Sequence, residues 1–478
     1  MELSLENLML DARQYAKKNK GDIMCRLVLC IATILCAACS EPAPEHWHGA
    51  YRLSDGRLVS LRESTPETLR LRVFDSGETR RYVRGDDGGW HAGPELHPDA
   101  LSASSLTVEE GTLTLSYANE TAITGTRIDL PVIEHDLEVN GARLHVRLTL
   151  PSGGGPHPAI VLAHGSGDDA ATRTYGTADF FPAHGVASVV YDKRGTGRSS
   201  GTYNMDFHQL ANDLVEVAQW VAEQPGIDPT RIGVTGYSQG SWIGPLAASR
   251  SDRFSFVIAS YGMIDSPRRE LRLEAEERLR RRGHDEHAVR EAGTLADAAV
   301  DVMVSDYRDW TRFDRLAEQF RDRAWMGDLD YPMTELLRWP QWIVRIAAGF
   351  VAAPGLPWDY TSVPALDGLA EKGIPSVWLI ASHDRSAPNA FTLAELARRV
   401  DAGEPVEVAV LSPTDHGFLL FEENAAGERR YGNHHPDYFR TEVDYARRLS
   451  GLASGEARSS RLPSAPARGG EAGPAELP

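Results

Sequence analysis

The sequence predicts an α/β protein: a mostly parallel central sheet, a helical cap inserted between two of its strands, and a small antiparallel β unit ahead of it. Three observations carry this. From residue 130 onward, short runs rich in Val, Ile and Ala (AIVLAHG, ASVVYDKRG, IGVTGYS, FSFVIASYG, PSVWLIASHD) alternate with helical stretches. Such runs lack period-two alternation, so they read as strands buried on both faces, and the helices between them imply parallel pairing. One insertion, residues 264–355, interrupts that order. Before residue 130 the pattern is strand-like alternation punctuated by turn residues.

Taken in chain order, the first element is a leader. All four cysteines, Cys25, Cys30, Cys36 and Cys39, lie in MCRLVLCIATILCAACSEPAPE, an apolar run behind basic groups and ahead of small residues, which is the build of a secretory signal. The run is too short to span a bilayer as a finished helix. Its end, LCAACS, resembles the lipobox of bacterial lipoproteins, with Cys36 standing where leucine is commonest. That resemblance implies that residues 1–39 are a lipoprotein-like leader and that Cys39 is lipidated and becomes the first residue of the mature protein. Residues 1–23 are an awkward preface to a signal, so Met24 is the expected start; a long charged leader or an uncleaved anchor helix are the alternatives. The expected location is the bacterial cell envelope, with membrane contact only through a lipid on Cys39.

Residues 45–128 form the β unit. Asp55-Gly56 and Asp75-Ser76-Gly77 supply residues that tolerate positive φ, as hairpins require. His46 and His48 could ligate a metal, but two histidines without further ligands are more often packing or surface groups. The α/β unit spans residues 130–450. It opens with HDLEVNGARLHVRLTLPSG, two strands around Asn140-Gly141. The cap holds a charged helical stretch, SPRRELRLEAEERLRRRG, and a tryptophan-rich one around Trp342, where Arg345, Pro340 and Pro354 leave too short a run to cross a membrane. Trp325, Trp339, Trp342 and Phe350 are candidates to line a pocket, against a plainer role as core. The tail, residues 451–478, is rich in Gly, Pro, Ala and Ser and is expected to be disordered.

Composition excludes some functions. With 50 basic and 68 acidic side chains the formal charge is −18, the wrong sign for a phosphate backbone, so no nucleic-acid partner is expected. With every cysteine before residue 40, no downstream disulfide or thiolate metal site can form. In YDKRGTGRSSG the dinucleotide pattern G-x-G-x-x-G fails at Ser200, and no P-loop lysine follows. No metal or organic cofactor is implied.

What remains is acyl-transfer chemistry. Gly236-Tyr237-Ser238-Gln239-Gly240 follows the strand IGVT and precedes a helix-compatible SWIGPLAASR. A serine hydroxyl attacks only if a base takes its proton and a sharp turn holds it clear of its backbone, and only small residues two places either side fit so close a strand–helix approach. Charge on the attacked carbonyl oxygen needs two preplaced N–H donors. Gln239 supplies one, and Ser166 of His164-Gly165-Ser166-Gly167 the other. An acid and then a histidine should follow the serine. Asp384 ends the strand PSVWLIAS, and His416 follows VEVAVLSP, making His416 the base and Asp384 its orienter. Asp265, after an earlier strand, is the alternative acid. His383 and Asp415 read as salt-bridged surface groups, and His434 and His435 as polar helix-start residues.

Together HGSG, DKRGTGRSSG, QLANDLVEVAQWVAEQPGIDPTRIGVTG and GYSQGSWIGPLAA resemble the α/β-hydrolase superfamily over about residues 130–450, and within it secreted bacterial carboxylesterases with a helical cap and an N-terminal β extension. The resemblance implies hydrolysis of small or medium acyl esters through an acyl-serine, with Ser238, Asp384 and His416 as triad and Ser166 and Gln239 in the oxyanion hole. A small-molecule ester is then the expected partner. Ser241 departs from the glycine these enzymes often carry there, and SHDRSAP matches the acid's usual context only approximately. A serine peptidase of aminopeptidase or prolyl-oligopeptidase type, a thioesterase or acyltransferase, and a non-catalytic binding module are the alternatives.

Overall fold

The computed structural model describes residues 47–65, 67–92, 104–117, 121–330, 332–351, 355–424 and 427–452. Cys39, His46, the leader and the tail after Leu452 lie outside them, as do the side chains of residues 347–351, Phe350 included.

Eight antiparallel strands form the N-terminal unit: β1 (Gly49–Leu53), β2 (Leu58–Thr65), β3 (Thr68–Val73), β4 (Thr79–Arg84), β5 (Trp90–Ala92), β6 (Ser104–Glu109), β7 (Thr112–Tyr117) and β8 (Ile123–Arg127). They close into a barrel because β8 returns to β1, with Tyr51 opposite Arg127. Alternation fills the interior with Tyr51, Val59, Leu61, Leu69, Leu71, Tyr82, Leu106 and Leu113, all buried, and closure removes the exposed sheet edges. The alternation called for antiparallel strands; closure is a property of how they curl, which no local pattern encodes.

The second unit is built on a mixed, mostly parallel sheet of β9 (Val132–Val139), β10 (Ala142–Thr149), β11 (His157–Ala163), β12 (Ala187–Tyr191), β13 (Ile227–Tyr237), β14 (Phe256–Ser260), β15 (Ser376–Ala381) and β16 (Val406–Leu411). Their order across the sheet is β16-β15-β14-β13-β11-β12-β10-β9, with β10 antiparallel to both neighbours. Along β11, Ala159, Val161 and Ala163 join the core on one face while Ile160 and Leu162 join the core on the other. That is why its sequence shows an unbroken apolar run. The first face is covered by α1 (Phe207–Ala222), α2 (Gly240–Arg250) and the helices flanking β15, and the second receives α10 (Tyr438–Leu449).

Between β14 and β15 lie α3 (Pro267–Arg281), α4 (Glu286–Val304), α5 (Thr311–Phe320), α6 (Met333–Arg338) and α7 (Gln341–Val351), before α8 (Val363–Lys372) returns to the sheet. Helix α3 starts where Ser266 accepts the Arg269 N–H and Pro267 takes the first turn. These helices have their own core, centred on Leu279, Leu295, Phe313 and Trp325. Among the described residues no helix is long and apolar enough to cross a membrane. After β16 come the hairpin β17 (Leu419–Glu423) and β18 (Arg429–His434); α9 (Ala390–Asp401) precedes β16.

The barrel is bound to the second unit by charge as well as packing. Asp179 is fully buried and accepts Ser60 Oγ at 2.6 Å, Arg62 Nε at 2.9 Å and Arg62 Nη2. Glu63 pairs with Arg173, and Thr79 Oγ1 meets His434 Nδ1 at 2.9 Å.

Candidate active site

Strand β13 runs into α2 through a turn in which Ser238 has φ +52°. A non-glycine residue pays for that left-handed conformation, and here it lifts the side chain to the sheet's carboxyl edge. The flanking glycines are sterically required. A Cβ at Gly236 would lie 2.1 Å from Gly240 O, and one at Gly240 would lie 1.9 Å from Ala163 O on β11. Ser241, the departure noted above, is accommodated because Gly262 is opposite: a Cβ there would meet Ser241 Oγ at 1.5 Å. Ser241 Oγ instead donates to Ser238 O at 2.6 Å, tightening the turn.

His416 Nε2 lies 3.0 Å from Ser238 Oγ, and its Nδ1 lies 3.1 and 3.0 Å from Asp384 Oδ1 and Oδ2. The three side chains come from turns after β13, β15 and β16, brought together by parallel strands that end on one edge. Asp384 is locked by its own turn, Oδ1 accepting the N–H groups of Ser386 at 3.0 Å and Ala387 at 2.8 Å. Burial pulls the His416 pKa down, but the charge of Asp384 and its hydrogen bond, with Asp415 and Glu274, outweigh this and leave it raised. Asp265 does not reach His416. Its carboxylate accepts Ser266 N–H at 2.8 Å and lies 3.9 Å from Arg269.

The loop after β11 crosses the serine: a Cβ at Gly165 would be 3.5 Å from Ser238 Cβ. Three residues hold it. Tyr175 Oη accepts Gly165 N–H at 3.2 Å, Tyr203 Oη donates to Ser166 O, and Lys193 Nζ donates to Gly165 O at 2.7 Å. A trans peptide points its C=O and N–H in opposite directions, so the lysine's grip on Gly165 O also aims the Ser166 N–H. Among the described residues neither Ser166 N–H nor Gln239 N–H has an acceptor, as an oxyanion hole requires of its donors. Lys193 also reaches Gln239 Oε1 at 3.3 Å, coupling loop to turn. Burial lowers its pKa to about 7, against the opposing fields of Asp169 and Asp168.

Lys193 was given no role in the sequence reading, which used YDKRG as a core strand end and as part of the hydrolase resemblance and rejected it as a phosphate loop; a lysine two residues after a buried strand was the available signal. Two cap residues were missed as well. Glu270 and Glu274, one turn apart on α3, have no hydrogen-bond or ion-pair partner among the described residues. Desolvation, Glu274 and Asp384 hold Glu270 well above the carboxylate range. Desolvation raises Glu274 to about 8, with His416 opposing and Asp384 adding to the rise. Both therefore lie within the field of the triad.

Other candidates take different places. Asp415 is not a surface group: it is 2% exposed and bound by Arg429, Tyr431 Oη at 2.7 Å and the N–H groups of Arg385 and His416. It is buried because it organises the loop carrying His416. His383 is exposed and meets Ser382 Oγ at 2.7 Å. His434 ends β18 rather than starting a helix; His435 does precede α10, its Nδ1 accepting Asp437 N–H at 3.2 Å. His48 is buried on Trp47, its pKa lowered to about 2 by burial and nearby arginines. No group of three metal-ligating side chains occurs among the described residues. Trp325 is cap core, whereas Trp339 and Trp342 are exposed at 39% and 64%.

Residues 140–320 match the family model described as X-Pro dipeptidyl-peptidase (S15 family), a span that includes Ser166 and Ser238 and stops short of Asp384 and His416. The chain is 30% identical over 136 residues to the thiohydrolase aneE of Aspergillus aculeatus, covering 28% of this chain and 42% of that protein. It is 32% identical over 155 residues to the esterase EstD of Thermotoga maritima, covering 31% and 35%. Matched stretches thus span less than half of these relatives. Among solved structures, the α/β hydrolase GrgF from Penicillium sp. aligns with 18% identity over 68% of this chain and 100% of its own, at a TM-score of 0.40. The mixed, mostly parallel sheet with its β11–β12 crossover, and a serine raised on a left-handed turn at the sheet's carboxyl edge, give the chain an α/β-hydrolase fold, and over residues 140–320 it is similar to the matched family.

Proposed function

We propose that this chain is a serine hydrolase, and within that class a carboxylesterase acting on small or medium acyl esters. The observation that carries the reading is the continuous hydrogen-bonded path from Ser238 Oγ through both nitrogens of His416 to Asp384. In the proposed reaction His416 Nε2 takes the hydroxyl proton as Ser238 attacks the ester carbonyl. Ser166 and Gln239 N–H stabilise the oxyanion, and His416 then protonates the departing alcohol. Water repeats the sequence on the acyl-serine, releasing the acid. Treatment with a fluorophosphonate probe tests this: wild type should be labelled, and Ser238→Ala should not. Labelling that persists in the alanine variant refutes the assignment.

A second reading has its own support. Glu270 and Glu274 place unpartnered carboxyl groups in the field of the triad, their pKa values raised by burial; a substrate ammonium beside them would favour their ionisation, which suits an aminoacyl ester or amide. Parallel rates on p-nitrophenyl acetate and aminoacyl-anilides separate the two. The name of the Aspergillus relative makes a thiol ester the third substrate to include. We further propose that the protein is held at the cell envelope by a lipid on Cys39. Incorporation of labelled palmitate into wild type but not Cys39→Ala tests that anchor.

A further inference from the structure

Helix α7 reads QWIVRIAAGFV, apolar on almost every side. A helix of that make is ordinarily buried all round. Here one face is covered and another is not. Val344 packs on the cap core, as do Met333, Leu336 and Leu337 of α6, while Trp342 and Ile346, four residues apart and so on one face, are exposed. Among the described residues six large apolar side chains are exposed, and three of them lie together at the α6–α7 elbow: Trp339 at 39%, Trp342 at 64% and Ile346 at 55%. Neither role weighed from the sequence, pocket wall or core, fits rings so open to solvent.

The surroundings indicate what covers them. The Arg338 guanidinium lies 5.3 Å over the Trp339 ring, and neither it nor the exposed Arg345 has an ion-pair partner among the described residues. Residues 333–346 hold these two arginines and one acid, Glu335, in a chain of net charge −18. Glu335 accepts the Trp339 indole N–H at 2.8 Å, and Asp314 of α5 accepts the Gln341 amide at 2.8 Å. A tryptophan offers at most ~250 Å², so the three exposed fractions leave on the order of 350 Å² uncovered, under half of the ~800 Å² per partner that a stable protein interface needs. The residues after 452 are mostly Gly, Pro, Ala and Ser, with few large apolar side chains to lay over the elbow. A lipid surface asks for less. Tryptophan settles at the level of the headgroups, and an unpaired arginine beside it meets their phosphates. At 11 residues α7 is about 16 Å long, too short to cross a bilayer and long enough to lie along one.

We propose that the α6–α7 elbow is a membrane-docking face: Trp339, Trp342 and Ile346 enter the headgroup region of a bilayer, and Arg338 and Arg345 meet anionic lipid phosphates at its rim. The inference rests on neither the hydrolase reading nor the lipid on Cys39. Where that lipid is present, the elbow supplies the second contact that stable anchoring takes, since a single acyl chain binds only marginally.

Fluorescence on the full chain tests it. The background carries Cys25→Ser, Cys30→Ser, Cys36→Ser and Cys39→Ser, which excludes a lipid and leaves no other thiol. Into it go Ile346→Cys and, as a control on α9 where Phe391 is 42% exposed, Phe391→Cys, each labelled with nitrobenzoxadiazole. Vesicles of phosphatidylglycerol and phosphatidylethanolamine should brighten the label at 346 several-fold, brominated acyl chains should quench it, and the label at 391 should not respond. Binding of the apolar leader to the vesicles does not by itself bring position 346 into lipid. Adding Trp342→Ser should raise the lipid concentration needed by about tenfold or more, and Arg345→Gln should raise it about fivefold on these anionic vesicles but not on phosphatidylcholine. Melting curves identify any variant that fails to fold, and Arg345→Gln tests the face without removing apolar surface. The proposal is overturned if the 346 label stays dark with vesicles, if both labels respond alike, or if folded Trp342→Ser responds at the same lipid concentration. A 346 label that brightens without lipid as protein is concentrated assigns the face to a second copy, and one that is bright at every dilution assigns it to another segment of this chain; either result overturns it. Fluorophosphonate labelling of Ser238 is independent of all these outcomes, and its absence sinks the hydrolase reading alone.

Discussion

Replacing Asp384 by Asn should all but silence the enzyme and move the acid limb of its pH profile downward. Oδ1 of Asp384 already accepts two backbone N–H groups, so an asparagine must keep its oxygen there. Its NH2 then takes the place of Oδ2, facing His416 Nδ1 at 3.0 Å. An amide donor at that position selects the tautomer protonated on Nε2, which cannot accept the Ser238 proton, and a mismatch of this kind costs about 10⁴ in kcat. The charge is lost too. Two unit charges about 4 Å apart interact by ~4 kcal/mol at an effective dielectric of ~20, a ceiling of about 3 pH units. The His416 side chain remains 30% exposed, so water screening keeps the fall in its pKa well under that ceiling. Because the base works only when neutral, a lower pKa carries the acid limb to lower pH. The assay is kcat/KM against pH on p-nitrophenyl acetate, with active sites counted by a fluorophosphonate. A loss below about tenfold, or an acid limb that stays in place or moves upward, would refute the reasoning.

Lys193→Met should lower kcat by about 10²–10³ with little change in KM, because it releases Gly165 O and with it the aim of an oxyanion donor; steady-state kinetics check this. Asp179→Asn strands the buried Arg62 guanidinium at the seam and should destabilise the protein by about 3–5 kcal/mol, read from urea unfolding. Glu442 is buried, accepts Thr235 Oγ1 at 2.6 Å and has its pKa raised by burial from 4.5 to about 7. A folded state that holds this proton more tightly than the unfolded chain loses stability as pH rises from about 4.5 to about 7, by on the order of 3 kcal/mol in all. Urea midpoints at pH 5 and pH 8 should therefore differ more in wild type than in Glu442→Gln.

Much of the site was legible in one dimension because its chemistry imposes local patterns. Gly236 and Gly240 appear in the sequence since a Cβ at either would strike backbone, and strands buried on both faces must be apolar throughout. Asp384 was preferred to Asp265 on local pattern, but each follows a strand, and what sets them apart is that the Asp384 turn aims its oxygens at His416. Asp415 read as a surface acid beside the histidine, whereas its burial comes from Arg429 and Tyr431 on a hairpin that pairs later in the chain.

Sequence alone determined the classes of element, their order and the chemistry of the serine turn, because each depends on neighbours a few residues apart. Tertiary structure decided the rest. Closure of the barrel, the grip of Lys193 on the Gly165 loop, the cap carboxylates beside the triad and the Arg62–Asp179 pair at the seam all depend on groups separated by tens to hundreds of residues. Such separations leave no periodicity to read, and only the folded chain sets the distances on which Coulomb forces and hydrogen bonds act.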